Sequence, residues 1–217
     1  MIEAVIFDMD GLMIDTEAVN YIAFGSFFKH LGVELSKYDY CVCFTGIPVD
    51  IAFQKAKDLL NLDYEIEDAK AYLDDHQELF RSDHIPLKPG LYELLDYLKS
   101  KQIKIGMATS SGLQRVYKLF EDYEVLKYYD EITCGTEVKR GKPAPDIFFK
   151  ACEKVNVHPE NALVLEDSEA GIEAAYNAHI PVICIPDLKE PDNRHSDMLA
   201  AKLPSLHDVI KYVEGSE

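Results

Sequence analysis

The 217-residue sequence predicts an α/β fold: a doubly wound parallel sheet forming a Rossmann-like core, with a helical domain inserted into it. Three observations carry this. Short, wholly apolar runs recur and alternate with helical patterns. One long segment near the start breaks that alternation and is helical throughout. Acidic, hydroxyl and lysine motifs fall at or near the ends of the apolar runs, where open parallel sheets bind their ligands.

Ala4-Val5-Ile6-Phe7 is the first run, and its continuous apolarity fits a strand buried on both faces. Comparable runs follow at 103–108, interrupted by Lys104, and at 162–165 and 182–185; Glu131-Ile132-Thr133-Cys134 fits the pattern less fully. Helical patterns at 90–101, 112–123, 145–155 and 169–177 separate them. From 16 to 81 no strand is evident. There Ile22, Phe24, Phe27, Phe28 and Leu31 make a broad apolar face at roughly helical spacing, with Gly32 as a stop. Further helices are expected at 51–60 and 66–80. The chain returns through 82–90, where Pro86, Pro89 and Gly90 mark a linker. The expected division is a core of 1–15 and 86–217 and a helical cap of 16–85, a cap that closes over the first motif and excludes bulk water.

Composition bounds the function. Lys and Arg number 22 against 39 Asp and Glu, a net charge of −17, and no basic block appears, so nucleic acid is not an expected partner. The cysteines, Cys41, Cys43, Cys134, Cys152 and Cys184, are odd in number and lack zinc-pair spacing, which points to reduced thiols mostly in the core. Glu3, Asp8 and Asp10 interrupt the first apolar stretch, against a signal peptide, and no apolar run reaches membrane-spanning length. A cytoplasmic monomer without membrane contact is the expectation.

The motifs carry the chemistry. Asp8 and Asp10, two apart on extended backbone, point the same way, so that one carboxylate can attack an electrophile while the other moves protons. A solvated acidic turn is the ordinary alternative for an isolated Asp-x-Asp-Gly. Thr109-Ser110-Ser111 follows a strand and opens a helix, so its hydroxyls and free N–H groups suit an anion, or cap the helix, or both. Lys142, in Gly141-Lys142-Pro143-Ala144-Pro145, is kept out of helical conformation by Pro143 and can place a cation at a phosphate, although a lone loop lysine is more often a surface residue. Glu166-Asp167-Ser168 follows the run 162–165. Adjacent acids there are costly unless paired or metal-bound, and magnesium suits so small a carboxylate set; helix capping by Asp167 or Ser168 is the alternative.

Taken together, Asp8-x-Asp10-Gly11, Thr109, Lys142-Pro143 and Glu166-Asp167 resemble the four motifs of the haloacid dehalogenase-like hydrolase superfamily. The stretches GKPAPDIF (141–148) and VLEDSEAGI (164–172) resemble its β-phosphoglucomutase-like phosphatase branch, and the resemblance spans essentially the whole chain. It implies Asp8 as the nucleophile that becomes an aspartyl phosphate, and Asp10 as the acid and base. It implies Thr109 and the Ser110 N–H as phosphoryl ligands, and Lys142 as the charge-stabilising cation. The cofactor implied is Mg²⁺, held by the Asp8 side chain, the Asp10 carbonyl and Asp167, with Glu166 as an outer or alternate ligand. Where the mutase has a cap histidine and a cap arginine, this chain has Asn20 and Val49, and Thr45 stands before Gly46 where the family carries a basic residue. Hydrolysis of a small, sugar-like phosphomonoester is therefore expected, with a β-phosphoglucomutase-like sugar phosphomutase as the alternative. Glu17, Asn20, Tyr21, Thr45 and Gln54 are the candidate substrate residues of the cap. A phospho-accepting receiver module is disfavoured because Asp8 lies on the first strand and a helical insert follows it; a dead binding protein is disfavoured by the intact motif set.

Overall fold

The computed structural model describes residues 1–45, 48–76 and 85–215. The chain divides into two compact units, one made of Met1–Asp15 with Pro86–Glu217 and the other of Thr16–Ile85.

The first unit is built on a parallel sheet of six strands: β1 (Ala4–Phe7), β2 (Lys104–Thr109), β3 (Glu131–Cys134), β4 (Ala162–Glu166), β5 (Val182–Cys184) and β6 (Ala201–Lys202). Their order is β3-β2-β1-β4-β5-β6. β1 is thus flanked on both sides, with Phe7 in register with Met107 on β2 and Leu165 on β4, and all four of its residues are fully buried. Chain order reverses direction between β1 and β4, so the topological switch point, where such sheets leave a crevice, lies at their carboxyl ends. Ala4 and Ile6 pack under α7 (Asp146–Val155) and α8 (Glu169–Asn177), among Phe148, Ala151 and Ile172. Alternation sends Phe7 to the other face, where its ring meets Tyr129 edge-on at 5.9 Å. α5 (Leu91–Ser100) packs on β2 and with α9 (Leu206–Glu214). α6 (Leu113–Leu119) is shorter than the 112–123 expected from the sequence, and β6 and α9 carry no signal that the sequence pattern distinguished. Two strand ends also shift. β2 runs one residue later than expected and so includes Thr109, and β4 includes Glu166.

The second unit holds α1 (Thr16–His30), α2 (Lys37–Cys43), α3 (Val49–Leu60) and α4 (Ile66–Asp75) around an aromatic core. Phe24 lies 4.9 Å from Phe44 and 5.6 Å from Phe53 between ring centres, and Phe27 lies 5.2 Å from Tyr64. The apolar face expected on α1 is partly wrong: Ile22 is 61% exposed and Leu31 is exposed as well. The buried stripe is Val19, Ala23, Phe24, Phe27 and Phe28. At ~100° per residue, Ile22 falls on the side away from Phe27, and Leu31 lies beyond the helix end. The helix expected at 66–80 ends at Asp75, with His76 as its C-cap; residues 77–80, residues 82–84 of the return at 82–90, and Gly46 lie outside the described residues. All five cysteines are free thiols, four of them buried.

Candidate active site

Asp8 is the first residue past β1. Its N–H donates to the Leu165 carbonyl at 3.0 Å, which continues the strand pairing and fixes the side chain over the carboxyl end of the sheet. Lys142 arrives from the connection between β3 and α7, and its side chain is only 6% exposed. Its ammonium has three protons and three acceptors: Asp8 Oδ1, Glu166 Oε1 at 2.6 Å and the Ala108 carbonyl at 3.2 Å. The Phe148 ring lies beneath it at 5.2 Å. Burial works against the charge on Lys142, but the Asp8 and Glu166 carboxylates outweigh it and hold the ammonium above its ordinary pKa. For Asp8 burial dominates, opposed by Lys142 and reinforced by Glu166 and Asp10, and the carboxyl is pushed up to about 7.

Glu166, fully buried at the end of β4, is held at both oxygens. Oε1 accepts from Lys142; Oε2 accepts from the N–H groups of Asp167 and Ser168, each at 3.0 Å, and from the Ser168 hydroxyl at 2.9 Å. The same Ser168 Oγ accepts from the Gly171 N–H at 3.1 Å and caps α8, so capping falls to Ser168 and leaves Asp167 to other work. Gly171 is required here: a Cβ on it would sit 1.7 Å from Glu166 Oε1.

Asp167 has a buried oxygen, Oδ1, without a hydrogen-bond partner. Asp8, Glu166 and Asp167 can each offer a carboxylate oxygen within 4.8 Å of the others. Burial first, then Glu166, Asp8 and Asp187, push Asp167 well above the usual carboxylate range. Beside it runs Gly11, at φ 81°, where a Cβ would come within 2.3 Å of Asp167 Oδ2. An orphaned carboxylate oxygen, an oxygen-only donor set and a gap kept open by glycine fit a small hard cation such as Mg²⁺.

The remaining expected residues divide. Thr109 is buried, and its Oγ1 accepts from the Ser111 N–H at 3.1 Å; Ser110 is exposed. The cap of α6 is Gly112 without a side-chain bond, so the serines do not cap it. Asp10 is gripped by a residue the sequence did not single out. Arg115 on α6 donates from Nη1 to Oδ2 at 2.6 Å and from Nη2 to Oδ1 at 2.8 Å, and Ser111 Oγ accepts from the same guanidinium at 2.6 Å. In the second unit Glu17 accepts from Tyr40 at 2.6 Å, Tyr21 donates to the Leu35 carbonyl at 3.1 Å, Thr45 to the Cys41 carbonyl at 2.7 Å and Gln54 to Asp58 at 2.9 Å. Asn20 is half-buried and Val49 exposed. Arg115 left one sequence signal, its position four residues after Ser111 on a helix. Asp187 left another, an acid shortly after an apolar run.

The model of the haloacid dehalogenase-like hydrolase family matches residues 5–185, from β1 to just past β5. The chain belongs to the haloacid dehalogenase-like hydrolases. Among curated relatives of the family, the chain is 33% identical over 178 residues to the phosphorylated carbohydrates phosphatase of Thermotoga maritima, covering 82% of each chain. It is 28% identical over 193 residues to the β-phosphoglucomutase of Bacillus subtilis, covering 81% of this chain and 80% of the relative. The crystal structure of a Thermotoga maritima protein described as a β-phosphoglucomutase superposes over the full length of both chains, with a TM-score of 0.81 at 27% identity. Among the described residues no helix is long and apolar enough to cross a membrane.

Proposed function

We propose that this hydrolase is a Mg²⁺-dependent phosphatase that removes the phosphoryl group of a small, sugar-like phosphomonoester by way of an aspartyl phosphate on Asp8. Its class, phosphoric monoester hydrolase of the haloacid dehalogenase-like type, rests on the family match and the phosphatase relative. The observation that carries the chemistry is the Lys142 ammonium buried between Asp8 and Glu166. A carboxylate approaching a phosphate dianion meets like charge, and a fixed, water-shielded cation at the attacking oxygen offsets it.

In this scheme Asp8 attacks phosphorus. Asp10 gives a proton to the departing oxygen and then takes one from the water that cleaves the aspartyl phosphate. Thr109 and the Ser110 N–H receive phosphoryl oxygens, and Glu166 keeps Lys142 in place. Asp8, the Asp10 carbonyl and Asp167 would hold Mg²⁺, with Glu166 beside them already committed to Lys142. When bound, the ion neutralises charge shared between the nucleophile and the phosphoryl oxygens. The Thr16–Ile85 unit is proposed as the cap that selects the substrate, with Glu17, Asn20, Tyr21, Thr45 and Gln54 as its candidate contacts.

The test is a phosphate-release screen over sugar phosphates, nucleotides and other phosphomonoesters, with Mg²⁺ and with EDTA. Turnover that persists in EDTA overturns the proposal. The mutase relative favours a second possibility, transfer to a sugar hydroxyl instead of water. Isomerisation of a sugar monophosphate, dependent on a bisphosphate and without phosphate release, would select it.

A further inference from the structure

Asp187 lies just past β5, as Asp8 and Asp167 lie just past β1 and β4. Its side chain is only 6% exposed. The Lys88 ammonium donates to Oδ1 at 2.5 Å and also pairs with Asp15 at 3.3 Å. Lys88 and the Leu188 N–H draw on the carboxylate, yet Oδ2 is buried with no hydrogen-bond partner. That orphaned oxygen lies beside Gly11 together with the Asp167 carboxylate. A Cβ built on Gly11 would lie 3.1 Å from Asp187 Oδ2 and 2.3 Å from Asp167 Oδ2, so both oxygens border the gap that only a glycine leaves open. Asp167 Oδ1 is likewise without a donor. Buried acceptors in such number are costly unless something supplies protons or positive charge to them.

We propose that Asp187 is the outer carboxylate of the cation site, its Oδ2 accepting a hydrogen bond from a water in the shell of the ion that Asp8 and Asp167 hold. This rests on the Mg²⁺ site proposed above. Magnesium takes few carboxylates directly and keeps several waters, so a third buried acid at its edge is better used on a water than on the ion. Lys88 neutralises one oxygen of Asp187 and fixes the direction of the other. Asp187 is thus a positioning residue: it acts through the ion's shell and touches no reacting atom. Carboxylates in such outer positions commonly change metal affinity by about 10- to 100-fold.

The experiment is a Mn²⁺ titration of the full chain followed by the loss of the free-ion electron paramagnetic resonance signal, with Mg²⁺ competition. Wild type is compared with Asp187→Asn, Asp187→Glu and Asp15→Asn, each first shown to be folded by circular dichroism in EDTA. Asp15→Asn removes a like charge from the same lysine, and no Asp15 atom is among the three nearest a Cβ built on Gly11. The expected result is a loss of Mg²⁺ affinity of at least about tenfold in Asp187→Asn, a smaller loss in Asp187→Glu, and less than twofold change in Asp15→Asn. Affinity within twofold of wild type in both Asp187 variants, or an equal loss in Asp15→Asn, overturns the assignment. Failure of the wild type itself to bind either ion would instead remove the metal site on which the assignment rests.

Discussion

Arg115 holds both carboxylate oxygens of Asp10, at 2.6 Å and 2.8 Å, across 105 residues of sequence. A bidentate fork fixes the plane of a carboxylate as well as its position. Asp10 is the proposed proton carrier, and proton transfer depends on that geometry. Arg115→Met is expected to lower kcat about tenfold, a fraction of what general acid–base catalysis supplies. Arg115→Lys should not restore it, because an ammonium cannot reproduce the fork. Steady-state kinetics decide this; wild-type kcat in Arg115→Met would remove Arg115 from the mechanism.

Asp8→Asn keeps the size of the side chain and removes the nucleophile. Phosphate release is expected to fall to background at every Mg²⁺ concentration, and rapid quench with radiolabelled substrate should trap no phosphoenzyme. Residual turnover above background would rule out Asp8 as the attacking group.

Glu166 and Lys142 form a buried pair at 2.6 Å, with side chains 0% and 6% exposed. Removing one member of such a pair strands charge, at a cost of about 3 kcal/mol or more. Glu166→Gln should therefore lose about 3 kcal/mol in urea unfolding, and activity with it, because Lys142 loses one of its anchors. A stability loss below about 1 kcal/mol would show that the pair contributes little.

The pH dependence follows from Asp8. Its folded pKa is about 7 against an ordinary 3.8. A carboxyl raised on folding favours the fold while it is protonated. That contribution is complete below about pH 4 and is lost as pH rises to about 7. Asparagine at the same place has no such loss. In EDTA the Tm of the wild type should therefore fall relative to Asp8→Asn across this window and then level off. A Tm difference that is flat from pH 4 to 8 would contradict the raised value.

Gly171 tests the site from the helix side. Glu166 accepts from three donors at one oxygen and from Lys142 at the other, so it cannot retreat from a new methyl group. Gly171→Ala is expected to destabilise by ~3 kcal/mol, at the upper end for overpacking, and to impair activity. Wild-type stability on urea unfolding would mean that the carboxylate moves freely.

Much of the fold was legible because its signals are local. The unbroken apolarity of Ala4–Phe7 marks a strand covered on both faces, and the Pro-rich approach to α7 marks where Lys142 sits. The misplaced ends were those where polar chemistry enters a strand. Thr109 and Glu166 read as loop residues because they are polar, yet both belong to buried strands, since lysine and backbone partners satisfy them. Ile22 misled in the opposite way: it is apolar but on the wrong side of its helix. Asp187 repeats the strand-then-acid pattern of Asp8 and Asp167, but a run ending in Pro186 and Asp187 also describes an ordinary turn.

The residues of this chain, taken in order, determine its alternating elements, the helical segment after the first strand, and the positions of Asp8, Asp10, Thr109, Lys142 and Asp167, because strand period, proline and glycine act over a few residues. The pairings are decided elsewhere. Asp8 with Lys142, Asp10 with Arg115 and Lys88 with Asp187 lie 134, 105 and 99 residues apart. Only the order of the strands brings their ends together, and only burial at those ends makes the charges depend on one another, because away from water a carboxylate must find its counterion within the fold.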